Sequence, residues 1–190
     1  MDIGRLAARV VIGGLFVGHG TQKLFGWFGG PGLEATEQMM GALDMRPTRA
    51  NALAAGISES AGGALVMLGA ATPAAAASLI GTMATAIYKV HKPNGPWVAE
   101  GGWEYNAVLI AALTALIDAG PGDVSVDAGL GRKEWGPGWA LGGLALGVAA
   151  SATAVALGRH GSSGATPSPT DPVVQAAAGD KAGDPVTAVD

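Results

Sequence analysis

A chain of 190 residues that is 49% hydrophobic and only 14% charged, with a mean hydropathy of +0.35, is too apolar for an ordinary soluble domain and reads as a small integral membrane protein. Its net charge of −4 comes without a basic cluster, so nucleic-acid binding has no support. The absence of cysteine removes thiol nucleophiles, disulfide relays and Cys-ligated zinc or iron–sulfur centres, and any redox role needs a bound cofactor or a partner.

The apolar stretches are long and continuous rather than alternating at period two, which in lipid points to helices. The first predicted span is Ile3 to Leu24. Arg5 and Arg9 before an apolar run resemble a secretory signal, but no small-x-small cleavage site with a polar mature start follows, so the span is retained. His19, Gln22 and Lys23 continue its helical pattern toward Trp27, and a loop from Gly26 to Arg49 follows. The second span, Ala50 to Ala71, carries Glu59 in its middle. The third, Pro73 to His91, starts after Thr72-Pro73, and proline in a first helical turn makes the pair a tight antiparallel hairpin. Tyr105 to Ala119 and Trp139 to Leu157 complete the set. All five tryptophans, at 27, 97, 103, 135 and 139, fall at span ends, where an amphipathic ring suits the headgroup layer. Gly14 with Gly18, and Gly143 with Gly147, put small residues on one face of a helix each and predict close helix contacts. After Arg159 the Ser, Thr, Pro, Ala and Gly-rich sequence predicts a disordered tail.

Glu59 is the most informative residue. A carboxylate at the bilayer centre costs about 2.5 to 3.5 kcal/mol, so it must face protein, water or a partner charge. With alternating spans, the ends of the first and third and the starts of the second and fourth emerge together. At about 1.5 Å per residue, Glu59 lies roughly 13 Å below the start of its span and His19 roughly 10 Å below Gly26. His19 and Lys23 are four apart, and Tyr88 and His91 three apart, so each pair shares a helix face that can point at Glu59. A Glu59 pair with Lys23 or with Lys89 lowers the desolvation cost, and the histidines can exchange protons near neutral pH. The predicted catalytic set is Glu59, His19 and Lys23; the predicted ligand-binding set is Tyr88, Lys89, His91, Glu104 and Trp27. Structural readings stand beside these: register-fixing for Glu59, snorkelling for the lysines, packing for the histidines, and dipole compensation for Glu104 at a helix start. Metal binding by the histidines and Glu59 stays a minor reading, and no metal ligand is assigned, since no span has paired ligands at i, i+3 or i, i+4. The Gly29-Gly30-Pro31-Gly32 turn lacks the lysine and the strand–loop–helix setting of a phosphate cradle.

Several separated motifs occur in order: His19-Gly20-Thr21-Gln22-Lys23-Leu24-Phe25-Gly26-Trp27-Phe28-Gly29-Gly30, Glu59 with Gly62-Gly63, Ala86-Ile87 before His91, Gly101-Gly102-Trp103-Glu104-Tyr105-Asn106, Gly120-Pro121-Gly122 and Ser125-Val126-Asp127. Together they resemble the DoxX family over residues 1–130. The resemblance implies an all-α transmembrane four-helix bundle over 1–130. The fifth span over 131–160 and a polar tail over 161–190 depart from that pattern. It also implies a multi-pass protein of the cell membrane with a link to membrane redox chemistry, because relatives include subunits of thiosulfate:quinone oxidoreductases and partners of oxidative-stress enzymes. Quinone is the expected cofactor, and the lipid bilayer and a soluble redox enzyme are the expected partners. A scaffold that docks soluble enzymes and a small proton-coupled transporter remain alternatives, and whether the chain is itself an enzyme stays open. The fifth span is either part of the bundle or an anchor outside it. Loop cations fall evenly on the two faces, so orientation is a tie.

Overall fold

A computed structural model describes residues 2–163, and it is all-α: no strand occurs among the described residues. Helix α1 spans Ile3–Phe25, α2 Gly32–Ala42, α3 Thr48–Leu68, and α4 Thr72–Ala86, which runs on through a π-helical turn at Ile87–His91. Helix α5 is Glu104–Ala119, α6 a single turn at Val126–Gly129, and α7 Pro137–Ser163. The five long helices fall where the apolar stretches predict them. Helix α2 does not: the Gly26 to Arg49 stretch, expected as a loop, folds a helix that buries Thr36 and Met40. Its apolar positions are too few to announce a span, and its cover comes from Met45 and Ala52 just beyond it and from Val155, which is distant in sequence. Helix α7 continues past the expected end at Leu157, so 161–163 are helical. The rest of the expected disordered tail, 164–190, lies outside the described residues.

Helix ends follow local chemistry. Gly26 and Gly69 close α1 and α3 in the left-handed region at φ 72° and 62°, which glycine adopts without a Cβ penalty. The α3–α4 turn is less comfortable, because Ala71 also sits at φ 46°, a conformation that costs a residue with a Cβ about 1 kcal/mol or more. Asp127 holds it: its carboxylate accepts from the N–H groups of Ala71 at 2.8 Å and Thr72 at 2.9 Å, capping α4 from α6. Its own N–H donates to Gly69 O at 2.9 Å. Arg5 donates to Ala119 O at 2.5 Å, which occupies an orphan carbonyl at the end of α5. At the same end Lys133 donates to Asp123 at 3.1 Å, and this bond holds the Asp123 carboxyl below the usual carboxylate range.

Helix α4 is the centre of the bundle. Its Leu79 and Ile80 are fully buried together with Val66 of α3 and Leu113 and Ile117 of α5, while Phe16 of α1 and Ala140 of α7 complete the core. Helix α7 runs parallel to α4 and packs into the bundle: a Cβ on Gly147 would lie 2.7 Å from Ala77 O, and Thr85 and Ser151 share a 2.8 Å hydrogen bond. The fifth long helix is therefore a bundle member and not an outlying anchor, and Gly143 and Gly147 form the close contact their spacing predicts. Gly14 and Gly18 do not. Nothing lies within 4 Å of a Cβ on Gly18, and the contact face of α1 is instead Gly13 and Gly20, seven residues apart. These meet Gly63 and Gly56 with Ser60 on antiparallel α3. Among the described residues α7, over Pro137–Arg159, is the one helix that by itself is long and apolar enough to cross a membrane. Helix α1 is diluted by Arg5, Arg9 and Lys23, and α5 has only 16 residues.

Gly63→Ala tests the α1–α3 contact, because its Cβ would lie 2.6 Å from Gly13 O and 2.9 Å from Val17 N, with no flexible side-chain end to give way. Thermal unfolding in detergent is expected to show a loss of about 1 to 3 kcal/mol. Gly18→Ala should leave the transition where it is, and equal effects of the two changes would contradict this packing.

Candidate functional site

The glycine contacts decide which charges meet. A Cβ on Gly13 would approach Gly63 O to 2.5 Å, and one on Gly20 would strike Ser60 and Gly56 O, so the backbones of α1 and α3 run almost in contact. Lys23 lies three residues beyond Gly20, and Glu59 three beyond Gly56. Both are carried onto the α1–α3 seam, where Lys23 Nζ donates to Glu59 Oε2 at 2.5 Å. The Glu59 side chain is 4% exposed and that of Lys23 22%, so the carboxylate is sealed and the ammonium keeps a path outward. Leu24 packs over Gly56 on one side. On the other, the buried Thr36 hydroxyl donates to Gly32 O at 2.7 Å and also reaches Lys23 O at 3.2 Å, so α2 clamps the last turn of α1. An isolated buried charge costs several kcal/mol, and pairing offsets that only with good geometry. The short contact and charge-assisted hydrogen bond supply it here.

Among the described residues no other predicted site residue bonds to this pair. His19 is exposed on α1, one turn before Lys23. Trp27 is exposed beside Phe25 and Phe28, with ring centroids 5.4 and 6.4 Å away, and forms an aromatic lip just after α1. Tyr88, Lys89 and His91 lie on the π-helical turn. Tyr88 Oη accepts from Arg159 Nη2 at 2.9 Å, and His91 Nδ1 is 2.7 Å from Gly101 O. Glu104 Oε1 accepts the Val98 N–H at 2.9 Å, which closes the loop ahead of α5. Of the two lysines open to Glu59 in the sequence, Lys23 is the partner. Among the described residues no three His, Asp or Glu side chains converge as metal ligands.

A second buried charge escapes the sequence reading. Arg9, which in the sequence is only a cation ahead of an apolar run, is 1% exposed inside α1. Its Nη2 donates to Val124 O at 2.5 Å, while Nε and Nη1 have no hydrogen-bond partner. The guanidinium lies against Gly69, where a Cβ would collide with it. It acts electrostatically on Asp127, itself 3% exposed. The available signal was an arginine on the helical period of an apolar run, but its acidic counterpart is 118 positions away and nothing local links them. Near one end the bundle thus holds the Lys23–Glu59 ion pair, and near the other the buried Arg9 and Asp127, whose hydrogen bonds go to backbone groups.

A groove of about 870 Å³ lies elsewhere, open between α5 and α7, and is lined by apolar residues such as Ile110, Ala111, Leu141 and Leu144; neither Lys23 nor Glu59 borders it. The polar site is therefore the buried pair and not this apolar hollow.

Residues 4–92 match the DoxX family model, from the start of α1 to the end of the π-helical turn, and so include Lys23, Glu59 and Arg9. The match stops short of the 101–106 and 120–127 motifs. No curated protein and no solved structure matches the chain.

Removing either partner of the pair should cost unequally. Lys23→Met strands the more deeply buried carboxylate and is expected to cost about 3 to 5 kcal/mol. Glu59→Gln should cost less, because the lysine can turn its ammonium toward the surface. The double change Lys23→Met/Glu59→Gln should be less harmful than the sum of the singles in thermal or SDS unfolding; additive losses would show that the two groups are not coupled.

Proposed function

We propose that this chain, which belongs to the DoxX family of membrane proteins through residues 4–92, crosses the bilayer with α1, α3, α4, α5 and α7 and presents the Lys23–Glu59 pair as the polar head-group site of a quinone-linked redox system. The observation that carries the reading is the distribution of charge. The outer faces expose Val10, Val11 and Leu15 on α1, Ile57 and Leu68 on α3, Val108 on α5, and Leu141, Leu146 and Leu157 on α7, while Arg9, Glu59, Asn106 and Asp127 are buried. In water that order is inverted and costly. In lipid it is the favourable one, because apolar side chains need no shelter there and ionised ones do. Helix α4 with its π-helical turn covers Thr72 to His91, about 30 Å at 1.5 Å per residue, which matches the hydrocarbon thickness.

The residues present fit a quinone head group in donor type. An ammonium has three N–H donors, one of which goes to Glu59, so others are available to a carbonyl oxygen. Glu59 Oε1 accepts no hydrogen bond among the described residues and can hold a proton next to that oxygen. Exposed Phe25, Trp27 and Phe28 supply flat apolar surface close to the end of α1. When bound, a quinone supplies the electron-accepting chemistry. Lys23 would orient the oxygen, and the Lys23–Glu59 pair would hold or release the proton. With no cysteine in the chain, electrons come from a partner, for which a soluble redox enzyme is the natural class.

Mass spectrometry of the quinones retained by gently purified protein tests this. Wild type should retain stoichiometric quinone, and the Lys23→Met/Glu59→Gln variant, which removes both charges together, should lose it. Equal retention, or none in either, would sink the quinone reading and leave the pair as a device that fixes helix register.

A further inference from the structure

At the end of the bundle where α4 and α7 finish, two cations flank one exposed aromatic ring. Lys92 Nζ lies 5.4 Å from the centroid of the Tyr88 ring and the Arg159 guanidinium 5.5 Å from it, while Arg159 also donates to the Tyr88 hydroxyl at 2.9 Å. Lys89 is half-buried on the same π-helical turn. Arg46 is tied next to them, since its N–H donates to Gly158 O at 3.4 Å. Asp44 is the nearest acidic residue in the chain to Arg46, yet among the described residues no carboxylate forms an ion pair with Arg46, Lys89 or Lys92. This contrasts with Arg49, which pairs with Glu37, and Lys133, which pairs with Asp123. Cations gathered around one ring raise each other's energy, and the ring quadrupole offsets only about 0.5 to 1 kcal/mol for each at an exposed site. Lys89, Lys92 and Arg46 thus leave positive charge here that an anion from outside the bundle would offset.

We propose that Tyr88, Lys92 and Arg159, with Lys89 and Arg46, bind the phosphate of an anionic phospholipid in the leaflet at this end. Depth selects a lipid over a soluble anion. Arg159 ends the apolar stretch Pro137–Arg159, whose length of about 34 Å places it at the level of the headgroups. Val90 and Leu157, both exposed, sit beside the cluster in sequence, so one molecule can set its phosphate among the cations and its chains along apolar side chains. Tyrosine at this level serves both layers, with its ring in apolar surroundings and its hydroxyl in the polar zone. Basic pockets between helices at a membrane surface recognise acidic headgroups for the same reasons. The proposal rests on the bilayer placement above but not on the quinone reading.

The test is made with the full chain in nanodiscs of phosphatidylglycerol and phosphatidylcholine in equal amounts, followed by extraction in mild detergent and quantification of the lipids that remain bound. Stable incorporation into the discs reports the bilayer placement by itself. Wild type should retain phosphatidylglycerol preferentially, and each of Lys89→Gln and Lys92→Gln should cut that preference by up to about fivefold with the thermal transition unchanged. Lys133→Gln, at the opposite end, should leave it intact. No preference in the wild type, no change in the Lys89→Gln/Lys92→Gln variant, or an equal loss in Lys133→Gln would overturn the proposal. So would a preference that emerges only after Asp171, Asp180 and Asp184 are changed to Asn, because the chain's own acidic C-terminal residues would then be the counter-ion.

Discussion

The close crossing of α1 and α3 is the contact on which the rest of the bundle is arranged. Gly13, Gly20 and Gly63 carry no Cβ at the points where the two backbones meet, and nothing larger fits there beside the facing carbonyls and N–H groups, while a Cβ on Gly56 would strike the Leu24 side chain. In lipid there is little hydrophobic force between helices, so close packing and internal hydrogen bonds have to bring them together. The same contact fixes register. Once Gly20 is against Ser60 and Gly56, Lys23 and Glu59 are carried onto the same seam, and the ion pair follows. Glycine placement is thus the cause of the polar site as well as of the packing.

A comparable logic holds the opposite end. The α3–α4 turn has only Ala70 and Ala71 between the C-cap glycine and α4, and it is kept in its strained shape by Asp127 from a helix of four residues. Arg9 supplies positive charge to that carboxylate while its guanidinium tucks against Gly69. Buried charge therefore acts at both ends to join segments that are remote in sequence: α1 to α3 through the Lys23–Glu59 ion pair, and α1 to the segment just ahead of α6 through Arg9, which donates to Val124 O. Helix α4 lies between these links and supplies most of the apolar core, and α7 closes on it through glycine and hydroxyl contacts. The packing of α7 makes it an integral part of the bundle even though the family match ends at residue 92.

The five long helices were legible in the sequence, because hydropathy and proline and tryptophan positions are local signals. Glu59 was legible for the same reason, as an ionised group within an apolar run. Its partner was not: Lys23 and Lys89 were equally placed by depth, and only the α1–α3 crossing distinguishes them. The glycine face of α1 differs from the one expected because a four-residue spacing, Gly14 and Gly18, is the more familiar signal, whereas this antiparallel contact uses Gly13 and Gly20, seven residues apart. Arg9 looked like a flanking cation until its burial by residues from 69 and 124–127 was visible. Helix α2 was missed because it is short and polar, and its few buried residues meet surfaces that exist only once α3 and α7 have packed.

The central claim is that apolar side chains coat this bundle because they face lipid, while the charged pairs are internal. The chain contains no cysteine, so single cysteines introduced on its surface are unambiguous reporters. The most direct measurement is the rate of labelling by a membrane-impermeant maleimide in reconstituted vesicles permeabilised to expose both faces. Cysteines at Val11, Leu65, Val108 and Leu146, all exposed on helix faces, should be protected, and those at Glu34 and Gly131 should react. Reaction at Val11 and Val108 as fast as at Gly131 would contradict the account, for it would put those faces in water.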